Sequence, residues 1–134
     1  MRLQNKIALV TGAGSGFGRG IATRFAQEGA KVVIADINEQ AAKKVARDIG
    51  DSAIAVVADV SENSDVEAMI QQTVEQWGRL DILVNNAGTT HRNKPMTEVT
   101  EEEFDKIFAV NVKSVFLTAK HGVPLMKKQG PGAI

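Results

Sequence analysis

The chain has 134 residues, 43% of them hydrophobic, which suits one domain with a packed core rather than a disordered or fibrous polymer. Its 16 basic and 16 acidic side chains cancel, so no charge excess points to nucleic acid or an anionic membrane as a partner. Cysteine is absent, which excludes disulfides and thiolate metal sites, and no cluster of metal ligands forms around His91 or His121, for which surface or loop roles are expected. Without a signal-peptide pattern or an apolar run of about 18 residues, the expected compartment is the cytoplasm.

In chain order, the apolar run Lys6–Val10 predicts a first strand, followed by Thr11-Gly-Ala-Gly-Ser-Gly-Phe-Gly18 and then a helical pattern. A sharp strand-to-helix turn needs residues without Cβ, to allow positive φ and to let a pyrophosphate approach the backbone. Gly12, Gly16 and Gly18 meet that need, with Ser15 and Phe17 between them. The first helical turn then offers unpaired N–H groups and its positive dipole end to phosphates. An ordinary strand-to-helix turn is the competing reading of this loop alone.

The first helix is expected over Phe17–Glu28, with Ile21, Ala22, Phe25 and Ala26 on one face and Gly29 ending it. Lys31–Asp36 predicts a second strand that ends in a carboxylate about 20 residues beyond the glycine loop. Asp36 there can accept hydrogen bonds from both ribose hydroxyls of an adenosine and would repel a 2′-phosphate. Neither Ser15 nor Ile37 adds the positive charge a 2′-phosphate requires, so the pattern favours NAD over NADP. A solvated loop acid or a helix cap is the alternative for Asp36, although Asn38 is the better cap.

A second helix is expected over Glu39–Ile49, with Ala42, Val45, Ala46 and Ile49 facing the sheet, before Gly50. Ser52–Ala58 is almost continuously apolar, as for a parallel strand covered on both faces. The third helix, Asn63–Trp77, carries Val66, Met69, Ile70, Val74 and Trp77 at helical spacing, with Trp77 in the core. A fourth strand, Asp81–Val84, runs into Asn85-Asn-Ala-Gly88. In open parallel sheets ligands lie beyond the carboxyl ends of the strands where the order reverses, which sets this loop beside the glycine loop. Small Ala87 and Gly88 allow a flat group against the backbone, and an Asn side chain both donates and accepts. A simple turn is the alternative.

Thr100-Glu-Glu-Glu103 reads as a capping box, after which Phe104, Phe108, Asn111, Val115 and Ala119 recur at helical spacing. Asn111 on an apolar stripe needs partners, either a break in neighbouring structure or ordered water. Pro124 predicts a kink or helix end. Gly130–Ile134 looks like the entrance to a fifth strand.

Several of these motifs, in this order and along the entire chain, resemble the short-chain dehydrogenase/reductase family: Thr11–Gly18, Asp36, Ala58-Asp59-Val60, Asn85–Gly88 and Asn111. The resemblance implies a Rossmann-type, three-layer α/β sandwich with a doubly wound parallel sheet in the order 3-2-1-4 and the start of a fifth strand beside the fourth. It implies an NAD(P)-binding unit over 1–134 with Gly12, Ser15, Gly16, Phe17, Gly18, Asp36 and Ile37 at the cofactor. Asp59 and Val60 would border the adenine, the carboxylate meeting its amino group, and Asn86, Ala87 and Gly88 would line the adenosine and ribose. Asn111 would bend its helix and hold a water in a proton relay.

The implied reaction is reversible hydride transfer between nicotinamide and a carbonyl or secondary-alcohol carbon, on a 3-oxoacyl thioester or a small hydroxyl compound, in a homo-dimer or tetramer. One departure stands out. The family's proton relay uses a Ser and a Tyr-x-x-x-Lys pair, and this sequence contains no tyrosine. The expectation is therefore the amino-terminal portion of an oxidoreductase, inactive by itself. The alternative is a non-catalytic dinucleotide-binding half-domain or assembly module.

Overall fold

The computed structural model describes residues 1–134. Four strands, β1 (Ile7–Thr11), β2 (Lys31–Asp36), β3 (Ala53–Val57) and β4 (Ile82–Val84), form one parallel sheet in the order β3-β2-β1-β4, the order that the family resemblance implies. The helices are α1 (Gly16–Gln27), α2 (Glu39–Ile49), α3 (Asn63–Trp77), α4 (Glu101–Phe108) and α5 (Ser114–Gln129). No helix is long and apolar enough to cross a membrane.

Alternating side chains of the central strands fill two separate cores, one on each face of the sheet. Leu9, Val33 and Ala35 point to one face, where they meet Val66, Met69 and Ile70 of α3 and Leu117 and Met126 of α5. Val10, Val32 and Ile34 point to the other and meet Ala22 of α1 and Ala42 and Val45 of α2. Each large side chain buried this way contributes roughly 1.5–3 kcal/mol, so the layers are held mainly by apolar burial. Trp77 is half-buried against the α3–α5 core, and Ile21, Phe25 and Ala26 flank the opposite one.

Local signals fix several helix starts. Asn38 caps α2 by accepting from the Ala41 N–H at 3.0 Å. Thr100 and Glu103 form the expected capping box on α4, with both reciprocal bonds present. Gly78, in the left-handed region at φ +79°, closes α3.

β3 is the sheet edge, paired with β2 alone, yet both its faces are covered as expected, Ile54 and Val56 packing on one core and Ala53 and Ala55 on the other, while Val57 at its end is 50% exposed. Two expectations need correction. The stripe Phe104, Phe108, Asn111 and Val115 does not face the core, and Asn111 is exposed. A π-helical turn over Ala109–Lys113 intervenes, its extra residue shifts the register, and α5 buries Ser114, Leu117, Thr118, Gly122 and Met126 instead. Of the kink or helix end expected at Pro124, the end is not found: α5 runs on to Gln129 with the proline inside it. A proline inside a helix costs about 3 kcal/mol, and burial of Leu117 and Met126 on either side of it works against that cost. The expected fifth strand is present as a single parallel bridge between Ile82 and Ala133.

At the amino ends of the strands, Asp81 is 3% exposed and accepts from the Ile7 N–H at 2.9 Å and from the Arg79 guanidinium. Burial pushes its pKa up. The Arg79 hydrogen bonds, the Ile7 N–H and the charges of Arg79 and Lys6 outweigh burial and hold it below the usual carboxylate range. A folded-state pKa below the unfolded one gives stabilisation that is complete above the unfolded value and fades as pH falls through the folded one. Asp81→Asn should therefore destabilise the chain at neutral pH by roughly 1–3 kcal/mol in urea unfolding. The gap from wild type should close as pH drops below about 3.9; a gap that stays constant with pH would contradict this role.

Candidate active site

A cleft of about 690 Å³ opens beyond the carboxyl ends of the strands, where the order reverses between β1 and β4. Every predicted cofactor residue except Gly18 lines it. The glycines do different things. Gly12 has φ +61°, and a Cβ there would lie 2.9 Å from the Ala87 Cα. Gly16 has φ +52° with open space beside it, so the backbone at the start of α1 is bare toward the cleft. Gly18 is buried, and a Cβ on it would meet the Gly12 carbonyl oxygen at 2.3 Å. It lets α1 approach the loop and does not itself line the cleft. Ser15 is extended, with no capping bond from its hydroxyl, and Phe17 is 89% exposed at the rim.

The glycine loop is bound to the loop after β4. The Thr11 hydroxyl donates to the Val84 carbonyl at 3.2 Å and accepts from the N–H groups of Asn86 and Ala87, each at 3.0 Å. The Asn86 amide donates back to the carbonyls of Thr11 at 3.0 Å and Gly12 at 3.3 Å. Asn86 thus borders the cleft while its amide nitrogen ties the two loops together.

Two carboxylates stand in the cleft, each partly satisfied by the backbone. Asp36 accepts from Gly14 N–H through Oδ2 and from Asn38 N–H through Oδ1, both at 2.9 Å. Asp59 accepts from the Ser61 N–H at 2.9 Å and the Ser61 hydroxyl at 2.6 Å, all on Oδ1. An ionised carboxylate has about four acceptor positions, so both retain capacity for a ligand.

Asn111 lies outside the cleft lining, in the π-helical turn. Of the two roles open to its amide, the structure shows it satisfying a neighbouring chain break: Oδ1 accepts from Thr89 N–H and Nδ2 donates to Thr89 C=O, each at 2.8 Å. The pair fastens the loop after β4 to the helix. That loop is tied again by Lys94, whose ammonium donates to Glu103 at 2.6 Å. The Lys94 hydrogen bond, followed by the Thr100 N–H, holds the Glu103 carboxyl below its usual range.

Sequence reading missed several participants. Thr11 and Gly14 sit inside the glycine motif, but no local rule gives either a part in the site. Lys106, Ala109 and Val110 line the cleft from α4 and the π-turn. Their i, i+3, i+4 spacing is a legible signal of one shared face. Thr89 and Ser61 also line the cleft. His121 is held by Asn63, its Nε2 2.9 Å from the Asn63 Oδ1, and His91 by the Arg92 carbonyl, both away from the cleft lining.

The Asn111 clasp can be tested directly. Asn111→Ala should cost roughly 1–3 kcal/mol in urea unfolding, for two lost hydrogen bonds to one loop. It should also speed hydrogen exchange at the Thr89 amide, and Asn111→Asp, which keeps only the acceptor, should fall between. Unchanged Thr89 exchange in Asn111→Ala would remove the clasp.

Residues 6–134 match the family model for short chain dehydrogenases. The whole chain is 47% identical to an uncharacterized oxidoreductase of Thermotoga maritima, covering 53% of it, and 44% identical to the 4-formylbenzenesulfonate dehydrogenase TsaC1/TsaC2 of Comamonas testosteroni, covering 54%. Among solved structures, a 3-ketoacyl-(acyl-carrier-protein) reductase from Brucella melitensis, complexed with NADH, superposes with a TM-score of 0.93 at 49% identity, over 95% of this chain and 52% of that one. The chain therefore spans about half the length of the relatives it matches. With the glycine loop, the Asp36 carboxylate and the Asn85–Gly88 loop around one cleft, and with this match over nearly its full length, the chain belongs to the short-chain dehydrogenase family.

Proposed function

We propose that the chain is the dinucleotide-binding, amino-terminal portion of an NAD-dependent oxidoreductase acting on a carbonyl or secondary-alcohol compound. The observation that carries this reading is the Asp36 carboxylate, fixed by two backbone N–H groups at the cleft wall with acceptor capacity left over. A dinucleotide suits the rest of the cleft. Gly16 leaves bare backbone and Ser15 a hydroxyl with no capping bond at the amino end of α1 for the pyrophosphate. Asp36 would accept from both ribose hydroxyls, and Asp59 with Val60 would border the adenine. Ala87 and Gly88 would lie against the ribose. When bound, the nicotinamide supplies the hydride chemistry, and the protein supplies orientation and charge.

The substrate reading is a 3-oxoacyl thioester or a small hydroxyl compound. It is supported by the neighbour named as a 3-ketoacyl-(acyl-carrier-protein) reductase and by 43% identity to a sorbitol dehydrogenase of Cereibacter sphaeroides. A cytoplasmic location is part of the proposal.

Binding and turnover separate in the test. NAD should bind more tightly than NADP, and Asp36→Ala should weaken NAD by roughly 1–3 kcal/mol and relax the preference, as for loss of a charge-assisted hydrogen bond. With no tyrosine in the sequence, residues 1–134 should show no turnover, and a protein continued through a Tyr-x-x-x-Lys segment should show it, since a positioned acid or base contributes about 10²–10⁴-fold. Equal NAD affinity in Asp36→Ala, or turnover by the 134 residues, would overturn the reading.

Assembly is a second part of the proposal. Phe104 and Phe108 stack with centroids 4.5 Å apart, and with Val112, Val115 and Phe116 they leave an exposed apolar face along α4 and α5. Apolar patches of this kind on a folded chain mark contact surfaces. We propose that a second copy packs on it. Sedimentation equilibrium should show a dimer or tetramer for the wild type and a shift toward monomer for Phe108→Asp; a monomeric wild type would contradict the proposal.

A further inference from the structure

A cleft that takes a diphosphate has two carboxylates in its lining, Asp36 and Asp59, and one cation, Lys106, to set against them. The neighbouring basic groups are engaged elsewhere. Arg19, the residue after the glycine motif, pairs with Asp48 of α2 at 4.0 Å and lines a separate surface groove. Lys94 is held by Glu103. Lys106 takes part in none of the chain's ion pairs. The ordinary structural uses of a lysine at this place do not apply to it. It lies in the last turn of α4, where a cation commonly serves the unpaired carbonyls of a helix end. Here there is no such end, because the backbone continues in helical conformation through the π-turn into α5. Glu102 and Glu103 stand one turn earlier at the spacing of a helix-surface pair, yet neither pairs with it.

We infer that Lys106 is a binding residue for the phosphate-bearing dinucleotide, the counter-charge that lets two carboxylates stand in a site for an anion. The inference rests on the nucleotide reading of the cleft. In that reading Asp36 and Asp59 serve as acceptors toward ribose and adenine, and each repels the diphosphate that arrives with them. An ammonium in the same lining offsets part of this repulsion and draws the diphosphate in from solution. The Lys106 side chain is exposed, so it acts through a solvated cleft and not through a dry contact. Its contribution must therefore follow the charge of the ligand and fade as salt screens it. A lysine that merely packed its stem against the ligand, or merely stiffened α4, would do neither.

Lys106→Met keeps the length of the side chain and removes its charge, and Lys106→Arg keeps the charge. The two are compared with wild type for NAD, by calorimetry, and for adenosine, by competition with NAD, since adenosine has the base and ribose but no phosphate. Thermal melts report that each variant folds. At about 0.05 M salt, where screening is weak, Lys106→Met should weaken NAD roughly fivefold, the size of one Coulomb interaction across a solvated cleft, and Lys106→Arg by less than about twofold. At about 1 M salt, where the Debye length is about 3 Å, wild type and Lys106→Met should agree within about twofold. Adenosine affinity should change by less than about twofold in either variant at either salt, because it carries no charge for the ammonium to meet. If the wild type binds neither NAD nor adenosine, the nucleotide reading of the cleft fails and this inference with it. Where the wild type binds NAD, four results overturn the inference alone. They are unchanged NAD affinity in Lys106→Met at low salt, a loss that persists at high salt, an equal loss for adenosine, and Lys106→Arg binding NAD as poorly as Lys106→Met. Should Lys106→Met not fold, Lys106→Gln removes the same charge and should show the same salt-dependent loss, and wild-type affinity in that variant would overturn the inference.

Discussion

The rest of the structure depends on how the crevice between β1 and β4 is closed at its base. Because β1 has β2 on one side and β4 on the other, the chain leaves the sheet along two loops that run side by side. Two loop backbones brought this close carry donors and acceptors with no ladder partner, and each one left unmade and buried costs about 1–3 kcal/mol. Thr11 satisfies three of them with one hydroxyl, donating to Val84 and accepting from Asn86 and Ala87, which uses its full hydrogen-bonding capacity. Asn86 returns its amide to the carbonyls of Thr11 and Gly12. Gly12 and Gly18 then follow as a packing requirement, since a Cβ on either would strike the partner loop or the turn itself.

On that closed base the charged groups are prearranged rather than left to a ligand. Asp36 and Asp59 are both aimed by N–H groups within a few residues of the strand end, so little side-chain freedom remains to be lost when something binds. Lys106, on α4, is the one basic side chain in the lining that these acids share. Its place on the face shared with Ala109 and Val110 means that the π-helical turn next to it also shapes the cleft.

What the sequence made legible was whatever a single local rule decides. Apolar runs separated by amphipathic helices announced a parallel sheet, and the family resemblance supplied its order among the few allowed topologies. Asn38 and the Thr100–Glu103 pair announced their helices because capping is a matter of adjacent residues. Failures fell where a distant part of the fold decides. Ser52–Ala58 reads as a doubly covered strand and does meet both cores, but the apolar run does not announce that it is the sheet edge, paired with β2 alone and with Val57 half exposed at its end. The spacing of Phe104, Phe108, Asn111 and Val115 is real, but periodicity does not say which side of a helix meets the sheet, and the π-turn breaks the register between α4 and α5. The bond between the Gly14 N–H and Asp36 is illegible to local rules for a related reason: its partners are 22 residues apart in the chain.

The π-turn also explains how so short a strand as β4 is held. β4 pairs with β1 over Ile82–Val84 and on its other side makes one bridge, to Ala133. Strand pairing alone over three residues is a weak restraint. Side-chain amides supply the missing bonds from the α4–α5 run. At the cleft end Asn111 closes a two-bond ring with the Thr89 backbone, and at the opposite end Gln129 does the same with Leu80, at 3.1 and 3.0 Å. Each amide offers the donor and acceptor that a neighbouring strand would offer, so it extends the ladder in places where no strand runs. Nearer the core, the Thr118 hydroxyl, fully buried, donates to Asn85 at 2.7 Å. The segment that carries the Asn85–Gly88 loop is thus suspended from one continuous helical run at three heights, and its geometry follows that run.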